Sequence, residues 1–498
     1  MFHLSRVLTR AASLFADRIA VEDGAVTLTY GALAARVAAL AGGLAQRGVK
    51  TGDRVALLDR NSFRTMELHF ACAALGAVLV PLNVRLARLE IGRVLAATEP
   101  VLVFAPESFA ASIDGGFSMV SWDDADPLRA PSAYESLLAE PAPLRELAAP
   151  ASDLAQIFYT SGTNGEPKGV CLTHGNLVAS ALDSIVALEF NADDVWLHVA
   201  PMFHLVDAFA IWAITLVGAR HVVRHFVAAT FADEIAAFGV TKTSMPPTLI
   251  ALAAEQAEHG DPRFASLERV SYGGSPMPEA VHHRASRVMG AAFVQAYGIT
   301  ETSGLVTQQL PGDYPITSAG GPVVSIDLRI VGEAGEDVAQ GTVGEILVAG
   351  PRVMTGYWRN PEATRAAISD GWYRTGDLGR RDAAGHLSIV GRKKDMIISG
   401  GENVYPNEVE NALALHPAVL EVAVFGIPSV RWGEEVRAAI VFRDGSSAAP
   451  DELIAFCRER IGGYKIPKSF EFRSEPLPKT GPGKVAKNIL RDPHWRSA

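Results

Sequence analysis

The sequence predicts an α/β protein: a large multi-layer N-terminal domain with mixed, largely parallel sheets over residues 1–392, then a small α+β domain over residues 393–498. Three observations carry this expectation. Helical and strand periodicities alternate as far as Tyr297, the texture changes at Gly341 to short β segments punctuated by Gly and Asp, and the charge run Arg392-Lys393-Lys394-Asp395 interrupts two strand-like stretches. A chain of 498 residues also exceeds what one ordinary core organises.

Taken in order, Leu33, Val37, Leu40 and Leu44 share one helical face, and residues 48–53 turn the chain into a strand over 55–58. Asn61 is placed to cap a helix running to about residue 75, and 77–82 is a short apolar strand. Further units run from Asn176 to Tyr297, with Val199, Val222 and Val270 marking strands. Residues 125–150 are rich in Ala and Pro and read as a surface excursion. Beyond the boundary, a helix over 406–415, strands over 419–425 and 436–442, and a helix over 451–460 read as βαβ-like pieces.

Composition excludes several classes. No apolar run reaches the length of a membrane span: 208–219 is too short, and Pro201, His204 and Asp207 interrupt the residues before it. The net charge of −10 argues against nonspecific nucleic-acid binding. Cys72, Cys171 and Cys457 are odd in number, scattered and without zinc-ligand spacing, so a reducing cytoplasm is expected. Arg6 and Arg10 precede the first acid, Asp17, but without an apolar core or cleavage pattern the N-terminus reads as an ordinary first helix.

The most informative segment is YTSGTNGEPKG, Tyr159 to Gly169. Thr160, Ser161 and Thr163 offer hydroxyls, Gly162, Gly165 and Gly169 let backbone close around an anion, and Lys168 adds a point charge. It is not a Walker A loop, because Gly165 is followed by Glu-Pro-Lys-Gly rather than by Lys and Ser or Thr. A polar hairpin turn is the plainer alternative for this loop taken alone.

Five more segments follow in order: APMFH ending at His204, YGITE from Tyr297 to Glu301, YRTGDLG from Tyr373 to Gly379, GRKKDMIISGGENVYPNEVE from Gly391 to Glu410, and PKTGPGK ending at Lys484. With these motifs the sequence resembles the adenylate-forming superfamily of acyl-CoA synthetases, peptide-synthetase adenylation domains and beetle luciferases. The resemblance implies that Thr160, Ser161, Gly162, Thr163 and Lys168 handle the outer phosphates of ATP, with Asn164 where the family more often has Thr. Tyr297 would stack on adenine, Thr300 would donate to the α-phosphate and Glu301 would help hold Mg²⁺. Gly273, Gly274 and Ser275 in YGGSPMP would bring bare backbone to the adenine and acyl pocket, although a strand-to-helix turn fits there equally well. Asp377 would accept from both ribose hydroxyls, Arg392 would reach the same ribose, and Lys484 would bridge carboxylate and α-phosphate oxygens.

His204 is the implied gate between thiol and adenylate, against a satisfied core histidine as the plainer reading. Asp207 reads as the N-cap of a helix over 208–216; facing inward instead, it could select an amino or hydroxyl group. Ser399, Gly400, Gly401 and Glu402 would line the pantetheine tunnel, and Lys394 would be the hinge of the C-terminal lid, with a charged linker as its alternative. Leu205, Val206, Phe209 and Gly298 make the acyl path apolar or bare.

The implied activity is conversion of a hydrophobic carboxylic acid, ATP and CoA to acyl-CoA, AMP and pyrophosphate, with Mg²⁺ as cofactor. Loading of a separate carrier protein stays open, as does a homodimer, although no carrier module follows Ala498. A noncatalytic nucleotide-binding regulator and a kinase-like NTPase are the alternatives from other classes.

Overall fold

The computed structural model describes residues 3–113, 116–123, 132–140, 150–160, 167–274, 277, 279–310, 315–479 and 485–496. Ser161, Gly162, Thr163, Asn164, Ser275 and Lys484 lie outside the described residues.

Four sheets organise the described residues. The nine-stranded sheet has a parallel centre, Ala292–Ile299, Arg269–Gly273, Lys242–Ser244, Val195–His198, Arg220–Val223 and Ile19–Asp23 in spatial order, with antiparallel strands Gly304–Gln308, Gly321–Pro322 and Val26–Thr29 at its edges. The seven-stranded sheet runs parallel through Leu154–Thr160, Val78–Pro81, Arg54–Leu57, Leu102–Pro106 and Met119–Trp122, and its other edge, Lys168–Thr173 and Gly356–Tyr357, is antiparallel. Val78–Pro81 is buried at every position, as a parallel strand covered on both faces must be. A five-stranded antiparallel sheet holds Asp327–Val331, Gly344–Ala349, Trp372–Arg381, Ile368–Ser369 and Leu387–Arg392. The fourth sheet begins at Ile397 and carries its own cores, one built on Val409, Val424, Ile440 and Leu453. The expected mixed α/β architecture with a smaller C-terminal domain is therefore observed.

Helix Tyr30–Gln46 buries Leu33, Val37, Leu40 and Leu44, the stripe predicted from their spacing. Several local expectations are corrected. Asn61 does not cap the next helix: Phe63–Leu75 is capped by Ser62, whose side chain accepts from the Thr65 amide. Asp207 is not a cap either, because helix Leu205–Val217 starts earlier and His204 takes the cap position. Within the supposed surface excursion, helix Ala133–Ser136 buries Tyr134 completely. In the C-terminal domain, Val419–Ser429 and Gly433–Phe442 form an antiparallel hairpin, and the one parallel pairing joins Gly433–Phe442 to Ser469–Arg473 across helix Pro450–Arg458. The short connection after Ser429 leaves no length for a crossover.

Candidate active site

Strands Leu154–Thr160 and Lys168–Thr173 pair antiparallel, with Thr160 opposite Lys168. Gly169 also serves packing: a Cβ there would come within 2.9 Å of Ile157, 3.0 Å of the Tyr159 ring and 3.1 Å of Trp358. Lys168 places its Nζ 4.9 Å from the centroid of the Tyr357 ring. The Tyr357 hydroxyl donates to Glu301 Oε1 at 2.9 Å, and burial together with the Glu301 charge raises its pKa. Tyr373 hydrogen-bonds Tyr357, and its own phenol is raised by burial, Glu301 and Tyr357. Lys168, Tyr357, Glu301 and Tyr373 thus form one contiguous cluster.

A second cluster centres on Asp377, which is 4 % exposed. The Tyr297 hydroxyl donates to Asp377 Oδ2 at 2.7 Å, and Arg392 Nε lies 2.9 Å from Asp377 Oδ1. Backbone register explains the pair, because Asp377 and Arg392 are partners in the ladder between Trp372–Arg381 and Leu387–Arg392. Burial and then Asp377 raise the Tyr297 phenol, so it remains a donor at neutral pH. The Tyr297 ring is packed in the core with Val306 and Val323, so the structure adds a hydroxyl role to the residue. The two clusters adjoin: Arg392 feels the charge of Glu301 as well as that of Asp377, and Tyr373 feels both acids.

Thr300 and Glu301 sit in a short turn, Thr300–Thr302, directly after strand Ala292–Ile299. The turn closes through Ser303 at φ 56°, whose carbonyl accepts from Arg352 Nη2 at 3.1 Å and from Ser180 Oγ at 2.7 Å. Met354 N donates to the Glu301 carbonyl at 2.8 Å, so the turn is clamped from the segment that also delivers Tyr357.

Among the described residues no three His, Cys, Asp or Glu side chains gather into a metal cage. A single accessible carboxylate such as Glu301 suits Mg²⁺, which binds through one or two carboxylates and phosphate oxygens and keeps waters for the rest.

His204 Nδ1 accepts from the Val206 amide at 3.1 Å, which fixes the proton of the neutral ring on Nε2. Asp207 points inward but is already occupied: Trp196 Nε1 donates to Oδ1 at 3.0 Å and His198 Nδ1 meets Oδ2 at 2.7 Å. His198 continues to His221 at 2.9 Å, and burial followed by the neighbouring His198 holds His221 well below the usual histidine range. Asp207 is 0 % exposed and is thereby removed as a selector of substrate polar groups. Leu205 is buried; its Cβ lies 3.7 Å from where a side chain on Gly304 would begin, while a Cβ on Gly298 would strike the Gly304 carbonyl oxygen at 2.4 Å. Leu205, Gly304 and Gly298 are therefore neighbours, with Val206 half-buried beside them and Phe209 edge-on to Trp196 at 5.7 Å. Gly273 ends its strand opposite Ala296, one residue before Tyr297, and Gly274 follows at φ +82°.

Ser399 and Glu402 pair across a two-residue turn made by Gly400 and Gly401 at φ +63° and +85°, a conformation that the tight hairpin demands of both. Lys394 lies in the turn Lys393–Asp395 and lines a cavity of about 310 Å³ with Glu434, Arg491 and Trp495. The motif ending at Lys484 has its base pinned to the C-terminal sheet, since Leu477 N and Lys479 Nζ both bond Glu421, at 2.8 and 2.5 Å. Tyr357 and Tyr373 escaped sequence reading. The signal available was that Tyr373 opens the YRTGDLG motif, but a phenol alone does not announce its partner.

The paired clusters, the clamped turn and the two-part architecture accord with an adenylate-forming ligase that joins acids to thiols, the class that the matching family and relatives show. The sequence pattern of the AMP-binding enzyme family matches residues 8–358, and that of the AMP-binding enzyme C-terminal domain matches 408–484. The chain belongs to the AMP-binding enzyme family. It is 40 % identical over 492 residues to feruloyl-CoA synthase of Amycolatopsis sp, covering 97 % of each chain. Indoleacetate–CoA ligase of Aromatoleum aromaticum is 38 % identical, with 98 % of this chain and 97 % of that one covered. The solved structure of o-succinylbenzoate CoA synthetase from Bacillus subtilis with its acyl-adenylate intermediate superimposes with a TM-score of 0.88 at 31 % identity over 98 % of both chains. The same enzyme with ATP and magnesium ion superimposes at 0.87 and 32 % identity, over 97 % of this chain and 98 % of that one. Among the described residues no helix is long and apolar enough to cross a membrane.

Proposed function

We propose that the protein joins a hydrophobic monocarboxylic acid, foremost an aryl or arylalkyl acid, to CoA in two steps. In the first, the substrate carboxylate attacks the α-phosphorus of ATP, an acyl–phosphate bond forms and pyrophosphate leaves. In the second, the CoA sulfur attacks the acyl carbon, loses its proton and displaces AMP. Both steps bring anions together, so oriented cations and donors carry the catalysis. Mg²⁺ would neutralise phosphate charge and orient the polyphosphate.

The observation that carries this reading is the adjacency of the Lys168–Tyr357–Glu301 cluster to Tyr297–Asp377–Arg392. It supports a nucleotide lying across both: outer phosphates against residues 160–163 and Lys168, the metal at Glu301, the α-phosphate at Thr300, ribose on Asp377 and Arg392, and adenine by Tyr297, Gly273, Gly274 and Ser275. Lys484 would neutralise the charge that builds while adenylate forms, and His204 would separate adenylate from thiol. Leu205, Val206, Phe209 and Gly298 would line the acyl path, and Ser399 to Glu402 the pantetheine path. We assign the body to 1–392 and the lid to 393–498, with Lys394 as hinge, since one sheet ends at Arg392 and the next begins at Ile397. The three cysteines are free and buried, in keeping with a reducing cytoplasm.

The aryl preference draws on the relatives named for ferulate and indoleacetate and on the engagement of Asp207, whose two oxygens are already taken by Trp196 and His198. Each buried methylene contributes about 0.8 kcal/mol, or roughly fourfold in kcat/KM. Purified protein assayed with ATP, CoA and ferulate, indoleacetate, octanoate, acetate or malonate should release AMP and pyrophosphate, with the aryl and medium-chain acids well ahead. A preference for acetate or malonate would overturn the pocket, and ADP as product would overturn the reaction. Thioester found on a carrier protein but not on CoA would reassign the acceptor.

A further inference from the structure

The side chain of Asn61 holds the turn that carries His204 from a neighbouring layer. Helix Phe63–Leu75 satisfies its first amides elsewhere: Ser62 Oγ accepts from Thr65 N at 3.3 Å, and the Asp23 carboxylate accepts from Phe63 N at 3.0 Å. Asn61, immediately before the cap, is therefore not consumed by its own helix. Its Nδ2 donates to the carbonyl of Ala200 at 2.6 Å and of His198 at 3.3 Å, and its Oδ1 accepts from Met202 N at 2.7 Å. Two carbonyls facing Nδ2 and one N–H facing Oδ1 fix the amide orientation by chemistry. His198 is the last residue of strand Val195–His198, and Ala200 and Met202 belong to the connection from it to helix Leu205–Val217. Its far end is closed locally, by His204 N donating to Pro201 O at 3.1 Å and by His204 capping the helix.

Only a carboxamide supplies donor and acceptor at this spacing. Aspartate would set a carboxylate oxygen against two carbonyls, and alanine would leave the Met202 amide and the Ala200 carbonyl without their partner.

We propose that Asn61 is a positioning residue that sets the register of residues 199–204 and so the resting place of the His204 ring between adenylate and thiol. The proposal rests on the reading of His204 as the gate. A mispositioned gate admits water: its oxygen attacks the acyl carbon, AMP leaves, a proton is released and the free acid is regenerated.

The test uses the full-length protein with ATP and a substrate acid, and compares AMP released with thioester formed at saturating CoA. Asn61→Asp should raise this ratio about tenfold, the scale of one lost buried hydrogen bond, while the first-turnover burst of pyrophosphate persists. Asn61→Ser, smaller and uncharged, carries the same readout if Asn61→Asp does not fold. His204→Ala should raise the ratio too, and Asn61→Asp added to His204→Ala should raise it no further. A ratio unchanged in both Asn61 variants, with all rates falling together, makes Asn61 structural and overturns the proposal. Multiplicative effects in the double variant also overturn it, because the two residues would then act separately. If His204→Ala leaves the ratio unchanged, the gate reading fails first and the proposal falls with it.

Discussion

Arg352 should be among the most costly charges in the chain to delete. The residue is 0 % exposed, Nη1 lies 3.0 Å from Asp183 Oδ2, and Nη2 donates to Ser180 Oγ and to the Ser303 carbonyl, both at 3.1 Å. Burial draws its pKa down to about 10 despite Asp183, so desolvation outweighs the attraction of the pair while the guanidinium stays charged at neutral pH. Arg352→Met would leave the Asp183 carboxylate in the interior with only the amide and hydroxyl of Ser325 as partners, a loss of about 3–5 kcal/mol. Replacing both charges, Arg352→Met with Asp183→Leu, should cost far less, since neither variant side chain brings a charge inside. Urea midpoints for the larger domain, compared at a common slope, give the differences. The single variant should also adenylate more slowly, because the Ser303 carbonyl anchors the turn that holds Glu301. A single-variant loss within about 1 kcal/mol, or a double variant worse than the sum of the singles, would refute this account.

Lys484→Ala should slow adenylate formation by roughly 100-fold or more, the scale of one preorganised electrostatic group, while preformed acyl adenylate and CoA still yield thioester; equal loss in both half-reactions would remove its proposed role. Asp59, buried beneath Ser62, is pushed up to about 7 by burial from an ordinary 3.8. Its folded form therefore keeps a proton that the unfolded chain surrenders, so this group's contribution to stability falls as pH rises from near 4 to 7, by about 1.4 kcal/mol per pH unit, and is flat above. Asp59→Asn should abolish that slope, and a variant-minus-wild-type difference that stays constant from pH 4 to 7 would count against it.

What could be read from the sequence was whatever repeats or punctuates. The 33–44 stripe is legible because burial recurs with the helical period, and the proposed boundary rests on a charge run that falls between the end of one sheet at Arg392 and the start of the next at Ile397. Caps were misassigned for a physical reason. Asn61 and Ser62 are both good N-caps in isolation, and tertiary demand for a carboxamide at the 199–204 turn decides between them. Asp207 likewise looks like a cap until Trp196 and His198, on a strand that passes beneath it, claim both its oxygens. The hairpin in the C-terminal domain was not legible because two apolar strands carry no mark of their relative direction. Tyr357 and Tyr373 were silent because their meaning lies in partners 56 residues away at Glu301, or in each other.

The most consequential connection in the molecule is a single ladder rung. Asp377 and Arg392 face each other across two antiparallel strands and also meet through their side chains at 2.9 Å. Arg392 ends its strand, a turn at Lys393–Asp395 follows, and the C-terminal sheet begins two residues later at Ile397. On the far side of that turn, Asp395 lies 4.0 Å from Arg491 on the last helix. The acid proposed to hold ribose is thus two residues, through an ion pair, from the proposed hinge. Were Lys394 the hinge, the lid would turn about a point two residues from Arg392, which the ladder to Asp377 keeps on the body, and a ribose held by Asp377 would compete with Arg392 for the same carboxylate oxygens. Under this reading, departure of AMP would return the Asp377 oxygen to Arg392, across a charge pair that is buried on the Asp377 side and exposed on the Arg392 side.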